Sequence, residues 1–238
     1  MSERTLVAIH GNFASARWWT DLINDPPAGW RVVAPDLPGF AGTENNGEVS
    51  IPAYAQWLGR WLTEQHIVRP ALLGHSLGGA VVMELARQHP ERVSALILAA
   101  SCPLSGLVTP EENYPVLEMM RGNPALLEMS LGALFPAGRP GNFTDLLDDA
   151  GGMAPTHYSG NARALSGWSV PPGDLRGLPT LVMGGELDQL VTPDMVRAQA
   201  QALGTQAVIA DGLGHGFPQE HPARFRAHLE AFLQTLPG

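Results

Sequence analysis

Gly74-His75-Ser76-Leu77-Gly78 decides the reading of this chain. The apolar run Pro70-Ala71-Leu72-Leu73 precedes it, and residues 79–89 follow with a helical pattern. The sequence therefore predicts a strand, a sharp turn and a helix. A serine at such a turn is held in a strained backbone conformation that pushes its hydroxyl above the sheet edge. The flanking glycines let strand and helix pass without a Cβ clash. Strain of this kind costs energy and is kept where function uses it.

Other apolar runs repeat the strand signal on either side. Leu6-Val7-Ala8-Ile9 ends in His10-Gly11-Asn12-Phe13, and Val32-Val33-Ala34 ends in Asp36-Leu37-Pro38-Gly39. Residues 93–100 end in Ser101-Cys102-Pro103, and Leu181 to Gly185 and Ala207 to Ala210 complete the set. Wholly apolar runs suit strands covered on both faces. Helices are predicted between them, the first around residues 17–23. A second starts at Ser50-Ile51-Pro52, with Ser as cap and Pro in the first turn. Tyr54, Trp57, Leu58, Trp61 and Leu62 give it a core-facing stripe. Two more open near Pro193 and run from about Gln219 to Leu236. This alternation predicts an α/β fold, a doubly wound and mostly parallel sheet of about six strands.

Residues 103–172 break the rhythm. Prolines and glycines interrupt short helical pieces at Tyr114 to Arg121, Pro124 to Leu134 and Phe143 to Asp148. The segment is too long for a plain loop in a compact domain. It reads as a helical cap inserted between two strands, with residues 1–102 and 173–238 forming the core. Its Met119, Met120, Met129 and Met153 suit either an irregular apolar pocket or packing within the cap itself.

Composition bounds the partners. The chain has 238 residues, enough for one sizeable core. A net charge of −9 without a basic cluster argues against nucleic acid and anionic membranes. No apolar run is long enough to span a bilayer, and the first residues lack a signal-peptide pattern. The single cysteine, Cys102, permits no intrachain disulfide. Together these features predict a cytoplasmic protein.

A serine hydroxyl needs a base to take its proton, and the base needs an acid to orient it. Gly185-Glu186-Leu187-Asp188 follows one strand, and Asp211-Gly212-Leu213-Gly214-His215-Gly216 follows another. Ser76, Asp188 and His215 thus each stand at the carboxyl end of a predicted parallel strand, where functional loops converge. Asp188 is the expected orienting acid, with Glu186 and Asp194 as competitors and Asp36 a more distant alternative. His215 is the expected base, its flanking glycines leaving the ring freely placed, whereas His10, His75, His89, His221 and His228 read as structural or exposed. An anionic intermediate also needs two backbone N–H donors. Leu77, first in the helix after Ser76, supplies one, and the first loop supplies the other from Asn12 or, as second choice, Phe13. The Asn12 side chain is a further potential donor.

These pieces together resemble the α/β-hydrolase superfamily over nearly the whole chain. The resemblance rests on His10-Gly11 with Trp18 or Trp19 following, Asp36-Leu37-Pro38-Gly39, and Gly74-His75-Ser76-Leu77-Gly78-Gly79. It extends to Asp188 with Val191 and Pro193, and to His215 followed by Glu220, Pro222 and Phe225. It implies a catalytic triad, an oxyanion hole and a cap over the active site. It is nearest to the small carboxylesterases, C–C hydrolases and perhydrolases. Serine at position 76 disfavours the branches that use aspartate there. Family members usually carry a hairpin before the His-Gly strand; about five residues precede it here, so one sheet edge should be shorter.

The expected activity is a serine hydrolase cleaving small carboxylic esters, without metal or cofactor. Cleavage of a carbon–carbon bond in a diketo acid is the second reading. It requires a cation in the pocket, for which Arg121, Arg139, Arg163 and Arg176 are available. A perhydrolase-like enzyme, or a receptor that binds on the same fold, remains as a further reading.

Overall fold

A computed structural model describes residues 4–45 and 47–237. Six parallel strands form one sheet in the order β2-β1-β3-β4-β5-β6. They are β1 (Arg4–Ile9), β2 (Trp30–Val33), β3 (Ala71–His75), β4 (Ala95–Ala99), β5 (Thr180–Gly185) and β6 (Ala207–Ala210). Helices flank the sheet, so the central strands β3 and β4 are buried at every residue. Coverage on both faces is why these strands read as unbroken apolar runs. The chain leaves β1 for β2 on one side, then crosses back to β3 on the other. In open parallel sheets that reversal leaves a crevice at the carboxyl ends of the two strands it separates, here β1 and β3, where ligands bind.

The early helices are α1 (Thr20–Asn24), preceded by a 3₁₀ turn at Ala16–Trp19, α2 (Ile51–Glu64) and α3 (Leu77–Gln88). Ser50 caps α2 by accepting the Ala53 N–H at 3.3 Å. Tyr54, Leu58 and Leu62 are buried, while Trp57 and Trp61 stack on each other, half-buried at the edge of the stripe. α3 is buried from Leu77 to Ala86 and packs against α2.

Four helices lie between β4 and β5: α4 (Tyr114–Met120), α5 (Pro124–Gly132), α6 (Phe143–Gly151) and α7 (His157–Ser166). The sequence anticipated three of them. α7 was missed because His157-Tyr158-Ser159-Gly160-Asn161 is polar and contains a glycine. Its buried face mixes His157 and Asn161 with Tyr158, Ala162 and Leu165, so the apolar signal is diluted. Met120 and Met153 are buried, but Met119 and Met129 are 59% and 64% exposed, so only half of the methionines fill the interior.

After β5 come α8 (Pro193–Ala202), β6, α9 (Phe217–Glu220) and α10 (Pro222–Leu233). The expected single terminal helix is split at His221. Pro222 has no N–H to continue a helix and disfavours helical backbone in the residue before it. Its neighbour His221, with φ −145° and ψ 72°, lies outside the helical region and caps α10 through Nδ1, which accepts the Arg224 N–H at 3.3 Å.

Candidate active site

Ser76 occupies the turn between β3 and α3 with φ 52° and ψ −117°. A non-glycine residue with positive φ is strained, and the surroundings must hold it there. The Ser76 N–H donates to the Ala99 carbonyl at 3.2 Å, and the Ser76 carbonyl accepts from Gly79 and Cys102, each at 3.0 Å. The glycines flanking the turn are required by close approach. A Cβ on Gly78 would stand 2.5 Å from the His10 and Ile9 carbonyl oxygens, and one on Gly74 2.6 Å from Gly79 Cα.

His215 and Asp188 meet as a buried pair. The His215 Nδ1–H donates to Asp188 Oδ2 at 2.7 Å, with side chains 5% and 0% exposed. Asp188 Oδ1 accepts the backbone N–H groups of Leu190 at 2.8 Å and Val191 at 2.9 Å. The competing acids are committed elsewhere. Glu186 accepts the Gly212 N–H at 2.7 Å, Asp194 is 93% exposed and pairs with Arg197, and Asp36 accepts the Ala16 N–H at 2.6 Å.

The loop carrying His215 is braced on two sides. The Gly214 N–H donates to Glu220 Oε2 at 2.6 Å, and the Gly216 N–H to the Leu134 carbonyl at 2.8 Å. The flanking glycines therefore do not confer freedom on the ring. A Cβ on Gly214 would lie 2.6 Å from Pro136 Cγ, and one on Gly216 would run into the Phe135 ring. They admit the α5–α6 connection against the loop.

His75 is closer to the site than its sequence position suggested. Its Nε2–H donates to the His215 carbonyl at 2.9 Å, its ring lies 4.8 Å from that of His215, and Trp18 stacks on it at 4.5 Å. Burial, and then the neighbouring His215, hold the His75 pKa well below the usual histidine value. The ring is neutral and packs at a tilt of 56° against His215. His10 is also buried. It donates from Nδ1 to the Gly11 carbonyl at 2.8 Å and accepts the Leu37 N–H at Nε2 at 3.0 Å, tying the ends of β1 and β2 together.

A cavity of about 350 Å³ opens over the turn. Ser76, His215, Asp188, His75, Asn12, Phe13 and Trp18 form its floor. Leu117 and Met120 of α4, Leu127, Ser130 and Leu131 of α5, and Leu187 and Leu190 of the Asp188 loop form its walls. No arginine lines it among the described residues. Arg121 and Arg176 are exposed, Arg139 pairs with Glu128 at 2.7 Å, and Arg163 lies over the Tyr114 ring.

The first-loop donors differ in availability. The Phe13 N–H donates to Asn12 Oδ1 at 3.1 Å. Among the described residues the Asn12 N–H has no partner. Leu77 is the first residue of α3, where backbone N–H groups have no acceptor within the helix. The described residues hold no cluster suited to a metal ion and no helix long and apolar enough to cross a membrane.

Sequence reasoning missed Asn161 and Tyr54 as the buried partners behind Asn12. Asn161 is fully buried on α7, donates from Nδ2 to Asn12 Oδ1 at 2.8 Å and accepts the Tyr54 hydroxyl at 2.7 Å. The signal available was His157, Tyr158 and Asn161 at helical spacing on one face.

Residues 6–228 match the family model described as Alpha/beta hydrolase family. A pimeloyl-[acyl-carrier protein] methyl ester esterase from Aromatoleum aromaticum is 37% identical over 113 residues, 48% of this chain and 42% of that protein. A bromoperoxidase from Bacillus anthracis superposes with a TM-score of 0.86 at 21% identity, covering 98% of this chain and 92% of its own. A thermophilic esterase from Thermogutta terrifontis gives 0.79 at 24% identity, covering 97% and 89%.

Proposed function

Because the chain belongs to the alpha/beta hydrolase family, we propose that it is a serine hydrolase of small, uncharged carboxylic esters. Ser76 Oγ attacks the ester carbonyl while His215 Nε2 takes its proton. Asp188 holds the proton on Nδ1, so Nε2 is the basic nitrogen and the imidazolium that forms is balanced by a carboxylate. The backbone N–H groups of Leu77 and Asn12 receive the oxyanion. His215 returns the proton to the departing alcohol, leaving an acyl group on Ser76. Water, deprotonated by His215, then releases the acid and restores the serine.

The observation that carries this reading is the buried 2.7 Å bond from His215 to Asp188 on the floor of the cavity that Ser76 shares. Residues 103–172 act as the cap in this proposal, since α4 and α5 supply the acyl-facing walls. The apolar lining without an arginine favours an uncharged acyl group over a diketo acid. The partial likeness to a methyl ester esterase points the same way.

The test is a panel of p-nitrophenyl esters beside a vinylogous diketo acid. Ester turnover that falls at least about a thousandfold in Ser76→Ala is expected. Turnover of the diketo acid alone would replace this reading with carbon–carbon cleavage. A protein that turns over neither and resists fluorophosphonate would be a binding member of the fold.

A further inference from the structure

We propose that Asn161 is a positioning residue: from α7 it turns the Asn12 carboxamide so that Asn12 Nδ2 joins the backbone donors facing the oxyanion. This rests on the reading of Ser76 as the nucleophile that attacks an ester carbonyl.

The direction of the hydrogen-bond chain is fixed at one end by the backbone. The Phe13 N–H can only donate, so the Asn12 atom 3.1 Å from it is the oxygen. The same oxygen takes a second bond at 2.8 Å, so the facing atom of Asn161 is its nitrogen. The Asn161 oxygen then faces the Tyr54 hydroxyl at 2.7 Å, which must donate. Burial pushes the Tyr54 hydroxyl pKa above its ordinary value, so the donor proton stays in place. Each group can be satisfied in one orientation only. With Asn12 Oδ1 doubly engaged, Nδ2 is left without a partner among the described residues, on a residue that lines the cavity with Ser76.

The chain joins three distant parts of the sequence, from α2 through α7 to the loop after β1. Tyr54 is 2% exposed and Asn161 0%, and the Asn161 Nδ2 also touches Met153 Sδ at 3.8 Å. Buried polar networks of this kind specify one geometry when fully satisfied. Contacts beside it dock the same helix, with Tyr158 edge-on to Phe13 at 5.5 Å and His157 Nε2 3.0 Å from the Pro38 carbonyl. These can hold α7 in place without Asn161, so its carboxamide is separable from docking.

The test is a double-mutant cycle between Asn12→Ala and Asn161→Asp, read as kcat and KM on a p-nitrophenyl ester. Asn12→Ala keeps the backbone N–H and removes Nδ2; kcat should fall about a hundredfold with KM nearly unchanged. Asn161→Asp offers only acceptors, so the Asn12 amide must turn Nδ2 toward it and away from the oxyanion; kcat should fall at least about tenfold, again without a change in KM. The double variant should be no slower than Asn12→Ala alone. Tyr54→Phe keeps the ring and loosens only the last link, so kcat should fall about threefold with the same KM. Phosphonylation of Ser76 by a p-nitrophenyl phosphonate should slow in parallel. Independent, multiplying losses, or a KM rise with kcat retained, would show that Asn161 only holds α7 in place and would overturn the proposal. So would wild-type phosphonylation rates in all three single variants. A wild-type protein that is not phosphonylated at Ser76 would remove the nucleophile reading, and this proposal with it.

Discussion

Asp188→Asn tests the orienting role proposed for Asp188 without disturbing its shape. The two backbone N–H groups of Leu190 and Val191, at 2.8 and 2.9 Å, can only donate. They hold the oxygen of the new carboxamide where Oδ1 stands. Its NH₂ must then occupy the position of Oδ2, 2.7 Å from His215 Nδ1. Two donors cannot face each other, so His215 moves its proton to Nε2 and accepts at Nδ1. The nitrogen that should receive the Ser76 proton is then already protonated. The corresponding substitution in serine-protease triads costs about 10⁴ in kcat, so a loss of about 10³–10⁴ is expected here, about 4–5.5 kcal/mol of transition-state stabilisation. Since both backbone bonds survive, the melting temperature should stay close to wild type. Ester kinetics and calorimetry on the same preparations measure both. A loss of less than about tenfold in a folded protein would refute the assignment of Asp188 as the residue that sets the His215 tautomer.

Three other outcomes follow from burial and shape. His10, His75 and His157 all have pKa values lowered by burial, so the unfolded chain binds protons that the folded chain refuses. Stability should be fully present above about pH 6.5 and fall as pH drops below it, visible as a declining melting temperature; a flat profile from about pH 7 to 5 would contradict this. Leu131 is 2% exposed in the cavity wall, and Leu131→Ala should cost about 2–5 kcal/mol of stability and move the ester preference toward longer acyl chains. An unchanged chain-length profile would place the acyl group elsewhere. The Cys102 thiol is buried, with its pKa pushed up to about 12, so Ellman's reagent should detect it only after denaturation.

Much of this fold is legible in the sequence because its signals are local. A strand buried on both faces has to be apolar where it is covered, and Leu6–Ile9 of β1, Ala71–Leu73 of β3 and the whole of β4 are. The Ser76 turn is legible because a strained residue between two close-packed elements demands glycine at fixed offsets. Asp188 and His215 could be selected because each follows such a strand. What escaped depended on partners far away in the chain. The apolar stripe of α7 is short, Tyr158, Ala162 and Leu165, and is interrupted because the helix also buries His157 and Asn161 against the β1 and β2 loops. The tightness around Gly214 and Gly216 comes from Pro136 and Phe135, which no local pattern places there. The arginines could be counted, but whether one entered the cavity depended on how α4 and α5 lie.

Everything reduces to whether Ser76 carries the acyl group during turnover. Acid quenching of the protein within its first turnovers of a slow ester, followed by peptide mass spectrometry, answers this directly. One acyl group on the peptide containing Ser76, absent from Ser76→Ala, is the predicted result. An acyl group on another residue, or turnover that persists in Ser76→Ala, would contradict the account.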